Sequence, residues 1–337
     1  VAMEREARRL TGEAKLARTL ALLRESPYEG LSFRQVQALP GPALVEDLVR
    51  RSFELRYRDL KAARWLAFNA LKAAESLRPE ECKPAARFDL QALAWANLAN
   101  AFKLNDQFAE ADGAIEHASA SLRCGSGDPR LLARTVELEA SIRMKERRLT
   151  EAKKLFKGSC NLYLRLGDQH SAGRTLLSLG TLSNRNNACR QGLIFVRRGM
   201  ALLDSDQDPQ ISAVADHNLV DLLVRSGDYS EAGRLLLQSD LRHKLADDDP
   251  RVRWTEGLLL AGIGKAAKAE KALTESQDRF FGRQQNYAAA VLGLDLLVIW
   301  HRNGRSGVVR AAAKAIYGTL QDLGIRQLAA KALRYLQ

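Results

Sequence analysis

The sequence predicts an all-α protein, a solenoid built from antiparallel helix pairs, and three observations predict it. A small residue returns about every 40 positions near the start of a helical stretch, at Ala63, Ala111, Ala152, Gly192, Ala232 and Ala269 and, as valine, at Val309. Self-similarity at a fixed period in that range marks one repeated supersecondary unit. Apolar residues keep helical spacing on pairs of facing stretches, and Asp-Pro pairs punctuate the chain between units, each setting a capping carboxylate ahead of a proline suited to the first helical position. No strand-like alternation interrupts the pattern. A unit this small cannot bury its own apolar face, so stacking makes the core and leaves a long surface for a partner.

At the beginning, Met3, Ala7, Leu10, Ala14, Ala17 and Ala21 form an apolar seam on a highly charged helix. Such a seam packs as an N-terminal cap or pairs with its like in a coiled coil, which would give self-association through this helix. Ser26-Pro27 through Leu39-Pro40-Gly41-Pro42 reads as a connector with a short Ser32-capped helix inside. Residues 1–42 are therefore cap and connector, and residues 43–337 are expected to hold about seven helix pairs and a closing helix. The clearest pair runs from about Leu93 to Leu122. Trp95, Leu98, Ala99 and Phe102 share one face, Asn105-Asp106 turns the chain, and Phe108, Ala111, Ile115 and Ala118 form the matching face. Small residues at 99 and 111 let the two backbones approach, and the aromatic rings fill the space around that contact.

Later pairs use the same grammar. Gly180 and Gly192 hold the small positions of one; Gly227-Asp228-Tyr229 turns the next ahead of Ala232; Gly257, Gly264 and Ala269 mark another; Asn303-Gly304 turns the last. Asp128-Pro129, Asp208-Pro209 and Asp249-Pro250 each open a helix. At the end, Ile325, Leu328, Ala329, Ala332, Leu333 and Leu336 line one face of a helix that caps the stack.

The Trp95, Leu98, Ala99, Phe102, Ala111, Ile115 and Ala118 pattern resembles the tetratricopeptide repeat (TPR), and the resemblance covers roughly Ala43 to Gln337. That family's usual period is about 34 residues. The longer period here is similar to the long-repeat variants of kinesin light chain and of bacterial regulatory and signalling proteins. The resemblance implies a right-handed superhelical solenoid in which the first helix of each pair lines a concave wall that binds a segment of another protein. Mapped that way, the wall carries Asn97, Asn100 and Lys103, then Arg134 and Lys145, then Arg174, Asn184 and Arg185. It continues through His217, Asn218, Asp221 and Arg225 to Arg251 and Trp254, and ends at His301 and Arg302. Arg134, Arg174 and Arg251 stand at one register of three units, and a column of guanidinium groups suits bidentate pairing to carboxylate or phosphate. The asparagines suit an extended backbone, and Trp254 an aromatic anchor. The other reading of the same arginines is a solvated helix face.

Charge and composition bound the partners. The 337 residues hold 52 Lys and Arg against 40 Asp and Glu, a net charge of +12, which favours an acidic protein or peptide. Nucleic acid is the alternative polyanion, but 6% aromatic residues and the absence of any recognised nucleic-acid module weigh against sequence-specific reading. A third reading is a peptide- or ligand-sensing module of a larger effector. No catalytic set, metal-ligand spacing or cofactor motif emerges: His117, His170, His217, His243 and His301 are scattered, and Gly262-Ile263-Gly264-Lys265 lacks the full phosphate-loop spacing and falls at a turn that needs glycine anyway. Cys82, Cys124, Cys160 and Cys189 stand alone and read as buried thiols of a reducing compartment. The longest apolar stretch, Ala288 to Trp300, contains Asp295 and is too short to span a bilayer. The expected setting is cytoplasmic, away from membranes.

Overall fold

Proline at the start, glycine or an asparagine-type residue at the end, and an apolar face every third or fourth residue divide the chain into helices joined by short turns. The structure, a computed structural model, describes residues 41–56, 59–204, 208–238 and 249–336. The N-terminal seam and the body of the connector lie outside the described residues. Fifteen helices are present among the described residues, and no strand. They are α1 (Gly41–Leu55), α2 (Leu60–Glu75), α3 (Pro84–Leu104), α4 (Phe108–Cys124), α5 (Pro129–Lys145), α6 (Leu149–Arg165), α7 (Gln169–Arg185) and α8 (Cys189–Met200). After these come α9 (Pro209–Ser226), α10 (Tyr229–Gln238), α11 (Pro250–Gly262), α12 (Ala266–Gly282), α13 (Asn286–Arg302), α14 (Ser306–Asp322) and α15 (Arg326–Leu333). Gly41 and Pro42, expected as the end of the connector, are instead the first turn of α1, where a proline loses nothing because the first N–H groups have no helical acceptor.

The helices form two compact units, one ending at Glu139 and one beginning at Ala140, with the division inside α5. In the first, α3 packs against α1, α2 and α4. Leu44, Leu48, Ala67, Leu71, Leu90 and Leu98 are buried together, with Trp65, Trp95 and Phe102 against them. In the second, α7 to α15 pack in chain order, each against the next, and α7, α9 and α11 also touch successively. The Asp-Pro signals act as expected. Asp208 accepts a hydrogen bond from the Ile211 amide at 3.2 Å and Asp249 from the Arg251 amide at 2.9 Å, each just ahead of a helix that begins with proline. Asp128 does the same for the Arg130 amide at 2.8 Å.

Every recurring small residue is buried: Ala111, Ala152, Ala232 and Ala269 are fully closed off, Ala63 and Val309 nearly so, and Gly192 is buried within α8. The α7/α8 pair shows why the size is fixed. A methyl on Gly180 would meet the Val196 side chain and the Gly192 carbonyl, and one on Gly192 would lie 2.7 Å from Leu222 and 3.1 Å from the Gly180 carbonyl. At the other end of the pair Gly173 faces Gly199. In α15, Leu328, Ala329 and Ala332 are buried, with Ile325 just ahead of them; Leu333 is exposed. Cysteine burial is mixed rather than uniform. All four thiols are free; Cys160 is buried, Cys82 and Cys189 half-buried, and Cys124 exposed at the last position of α4. No described helix is long and apolar enough to cross a membrane, and no described cluster of His, Cys, Asp and Glu is placed to hold a metal ion.

Candidate functional site

The first helices of the second unit bring polar side chains together that are far apart in the chain. From α7, the Asn184 amide donates to Asp221 of α9 at 2.5 Å. One helical turn on, Arg225 pairs with Asp221 at 3.1 Å and reaches Asp295 of α13 at 3.4 Å. The Trp254 indole of α11 donates to the same Asp295 oxygen at 2.8 Å, and the Arg225 guanidinium lies 5.7 Å from the Trp254 ring. The Trp254 ring meets Phe280 edge to face at 6.0 Å, so this tryptophan is half-buried and held, not a free anchor. Burial first, and the like charge of Asp221, push the Asp295 carboxyl above the usual aspartate range despite Arg225 and Trp254. Burial also opposes the charge on Arg225, but two carboxylates outweigh it and hold the guanidinium more firmly protonated than a free arginine.

A second group is cationic. Tyr287, at the second position of α13, is 2% exposed, and its hydroxyl accepts a hydrogen bond from Arg185 at the end of α7, 2.5 Å away. Lys145 lies 4.5 Å from the ring centre and Arg185 5.6 Å. Arg147, in the turn after α5, donates to the Arg185 carbonyl at 3.1 Å. A cation there suits the negative end of the α7 dipole and satisfies a terminal carbonyl. Burial alone would raise the Tyr287 phenol, yet Arg185, Lys145 and Arg147 together bring it below the ordinary value of 10.0. Arg147 itself is lowered, by burial first and by the neighbouring Arg185 charge.

The remaining expected wall residues divide by place. Asn97 and Asn100 are buried in the first unit because α3 has neighbours on three sides, so neither amide is offered to a ligand backbone. Lys103 is half-buried on the same helix. Arg134 lies 5.7 Å from the Phe53 ring. Arg251 turns back on its own N-cap and grips Asp249 with contacts of 2.6 to 3.1 Å. Arg174 is half-buried on α7. The three arginines therefore have different surroundings, since register along the repeat sets where the backbone is and local carboxylates and rings set where the guanidinium goes. Asn218 is half-buried on α9, His301 meets the Tyr335 ring at 5.8 Å, and Arg302 is exposed. Sequence reasoning missed Arg147 and Tyr287 and passed over Asp295 as a mere interruption. The available signal was that lone carboxylate in the apolar run of α13, since a buried charge requires a partner.

His217 of α9 is placed by α11: its Nε2 lies 3.2 Å from the Arg251 carbonyl and 3.1 Å from the Thr255 hydroxyl. The carbonyl can only accept, so Nε2 carries the hydrogen. Burial first, then the Arg251 charge, lower its pKa below the ordinary 6.5. The folded chain thus favours neutral His217, a contribution fully present above 6.5 and lost as pH falls below that through the depressed folded value. Melting temperature should drop on the acid side of that point. His217→Gln, which keeps an N–H for the Arg251 carbonyl, should flatten this part of the profile; an unchanged slope would assign the titration to another group.

A scan of protein-family models and a search of curated proteins match nothing to this chain. Solved structures do. A Rap protein complexed with competence and sporulation factor superposes with a TM-score of 0.65 at 13% identity, over 87% of this chain and 78% of that one. Aspartyl phosphate phosphatase F from Bacillus subtilis gives 0.59 at 13% identity, over 83% and 70%. The apo form of RapI gives 0.52 at 11% identity, over 86% and 80%. At such identities the likeness carries the fold and not the activity. The fold is an all-α, TPR-like helical repeat, as the spacing of small residues and turns led us to expect.

Proposed function

We propose that the chain is a non-catalytic protein–protein interaction scaffold of a bacterial regulatory or signalling assembly, working in the cytoplasm, and that the first-helix wall of its second unit holds an acidic segment of a partner protein. The observation that carries this reading is the convergence of Lys145, Arg147 and Arg185 on Tyr287, on a wall that also presents Arg174 and Arg302. Cations gathered at one place on a surface raise the local positive potential and favour a partner's carboxylates. The solved Rap neighbour was captured with competence and sporulation factor, which is consistent in kind with a wall that receives a peptide.

The test is capture from source lysate by the wild-type chain and by an Arg174→Glu/Arg302→Glu variant, with helicity measured in parallel. The variant should retain its helices, because partly exposed arginines contribute little to folding, and should bind the captured protein at least about tenfold more weakly, through like-charge repulsion. Wild-type affinity in the variant would remove the wall from recognition. The net charge of +12 favours one other reading, nucleic acid. In that case capture would vanish after nuclease treatment and fall steeply with the logarithm of salt concentration.

A further inference from the structure

We infer that Arg225 and Trp254 form a carboxylate-binding site in which the chain's own Asp295 stands in for an aspartate or glutamate side chain of the partner. This deepens the scaffold reading, on which it rests only for the owner of the incoming carboxylate. Asp295 interrupts the apolar run of α13, with Leu296 and Leu297 fully buried beside it, so packing gives no reason for a charge at this place. Its carboxylate is seated on residues of two other helices. Oδ2 accepts from the Trp254 indole of α11 at 2.8 Å and from a terminal N–H of Arg225 on α9 at 3.4 Å. A guanidinium beside a second N–H donor is a receptor for a carboxylate, and here the receptor is filled from within.

The seat is held loosely. Asp221, one turn before Arg225 on the same helix, takes the Arg225 Nε–H at 3.1 Å and is itself held by the Asn184 amide at 2.5 Å. Asp295 has the weaker share, since 3.4 Å is well beyond the about 2.7–2.9 Å of a charge-assisted hydrogen bond. The planar fork of Arg225 is thus split between two carboxylates instead of closing on one. Burial and the charge of Asp221 also disfavour the charged form of Asp295. The side chains of Arg225 and Asp295 are both partly open to solvent. A carboxylate arriving from outside therefore reaches the Arg225 terminal N–H groups and the Trp254 indole, and closes the fork that Asp295 leaves open. Asp221 keeps its place on Nε, and Asp295 gives up its own.

The Trp254 indole N–H reports on the site directly, because the chain has four tryptophans and a Trp254→Phe variant assigns its proton resonance. The probe is an acetylated, amidated tri-glutamate peptide, added at constant ionic strength near neutral pH, with a tri-glutamine peptide carrying the same ends as control. The Trp254 resonance of the full chain should shift as tri-glutamate is added. In Asp295→Asn, which keeps an acceptor for the indole and the guanidinium, half of the shift should come at an about tenfold lower peptide concentration, because the competing charge no longer holds the seat. Adding Arg225→Gln to Asp295→Asn should abolish the response, with circular dichroism checking that the helices remain. No shift in Asp295→Asn, equal midpoints with and without the aspartate, a response that survives Arg225→Gln, or an equal response to tri-glutamine overturns the site. A response to inorganic phosphate with none to tri-glutamate overturns its assignment to a carboxylate. The peptide titration needs no partner, so its failure leaves the scaffold reading to the lysate capture. Loss of capture with the peptide response intact would sink the scaffold reading and keep the site.

Discussion

Replacing Gly199 with alanine should lower stability by about 2 kcal/mol, whereas the same replacement at Gly158 should raise it by about 1 kcal/mol. Both glycines lie within helices, where the missing side chain ordinarily costs conformational entropy and alanine is the better residue. At Gly158 a new methyl meets nothing within 4 Å, so the intrinsic preference decides the sign. At Gly199 it would lie 2.8 Å from the Gly173 carbonyl oxygen, 3.1 Å from Leu177 and 3.2 Å from the Cβ of Leu176. A methyl on Gly173 would lie 2.9 Å from the Gly199 carbonyl in turn. Two backbones are the obstacle here, and backbones cannot rotate away as a side chain can. Urea unfolding of the two variants measures both effects, and a stabilising Gly199→Ala would show that the α7/α8 crossing is looser than these distances imply.

Asp295→Ala is expected to cost about 2 kcal/mol, and Asp295→Asn well under about 1 kcal/mol near neutral pH. Alanine strips the Arg225 cation of one of its two carboxylates and the Trp254 indole of its acceptor. Asparagine keeps an acceptor for both and removes only the charge. Loss of a partner from a fully buried ion pair costs roughly 3 to 5 kcal/mol. The lower figure applies because the Arg225 and Asp295 side chains remain 29% and 26% exposed. The two variants differ in direction with pH as well. Burial holds the Asp295 carboxyl above its ordinary 3.8, so the wild-type carboxylate works against folding at pH values above its folded pKa, and that burden lifts as pH falls toward 3.8. Asp295→Asn should therefore be closest to wild type near neutrality and lag behind it in acid. A parallel offset between the two across the pH range would show that Asp295 does not titrate.

The parts of this fold that the sequence announces are those decided locally. A helix begins where a carboxylate can cap it and a proline can sit at its first position, as at Asp208-Pro209 and Asp249-Pro250. It turns where the chain can take a positive φ, as at Asp106, Gly227, Gly264 and Gly304. Small residues recur because two helices of one pair touch there. The wall is decided by partners that no local rule brings together. Asn184 depends on Asp221, Arg225 on Asp295, and Arg185 on Tyr287, and in each case the second residue lies one to three pairs further on. Reading Arg134, Arg174 and Arg251 as a column located their backbone positions. It could not foresee that Phe53 lies beside the first and Asp249 captures the last.

The bond from Arg185 to Tyr287 has a meaning for how the second unit comes apart. In an ideal linear repeat array each element touches only its neighbours, so unfolding can creep inward from an end one element at a time, as in a one-dimensional Ising chain. Here α7 is tied to α13 and α9 to α13, over the helix pairs that lie between them in sequence. The peeling of α15 and then α14 can proceed locally, but α13 cannot leave without releasing α7 and α9 at the same moment. The segment from α7 to α13 is therefore expected to open together in native-state hydrogen exchange, and the helices beyond it at lower cost.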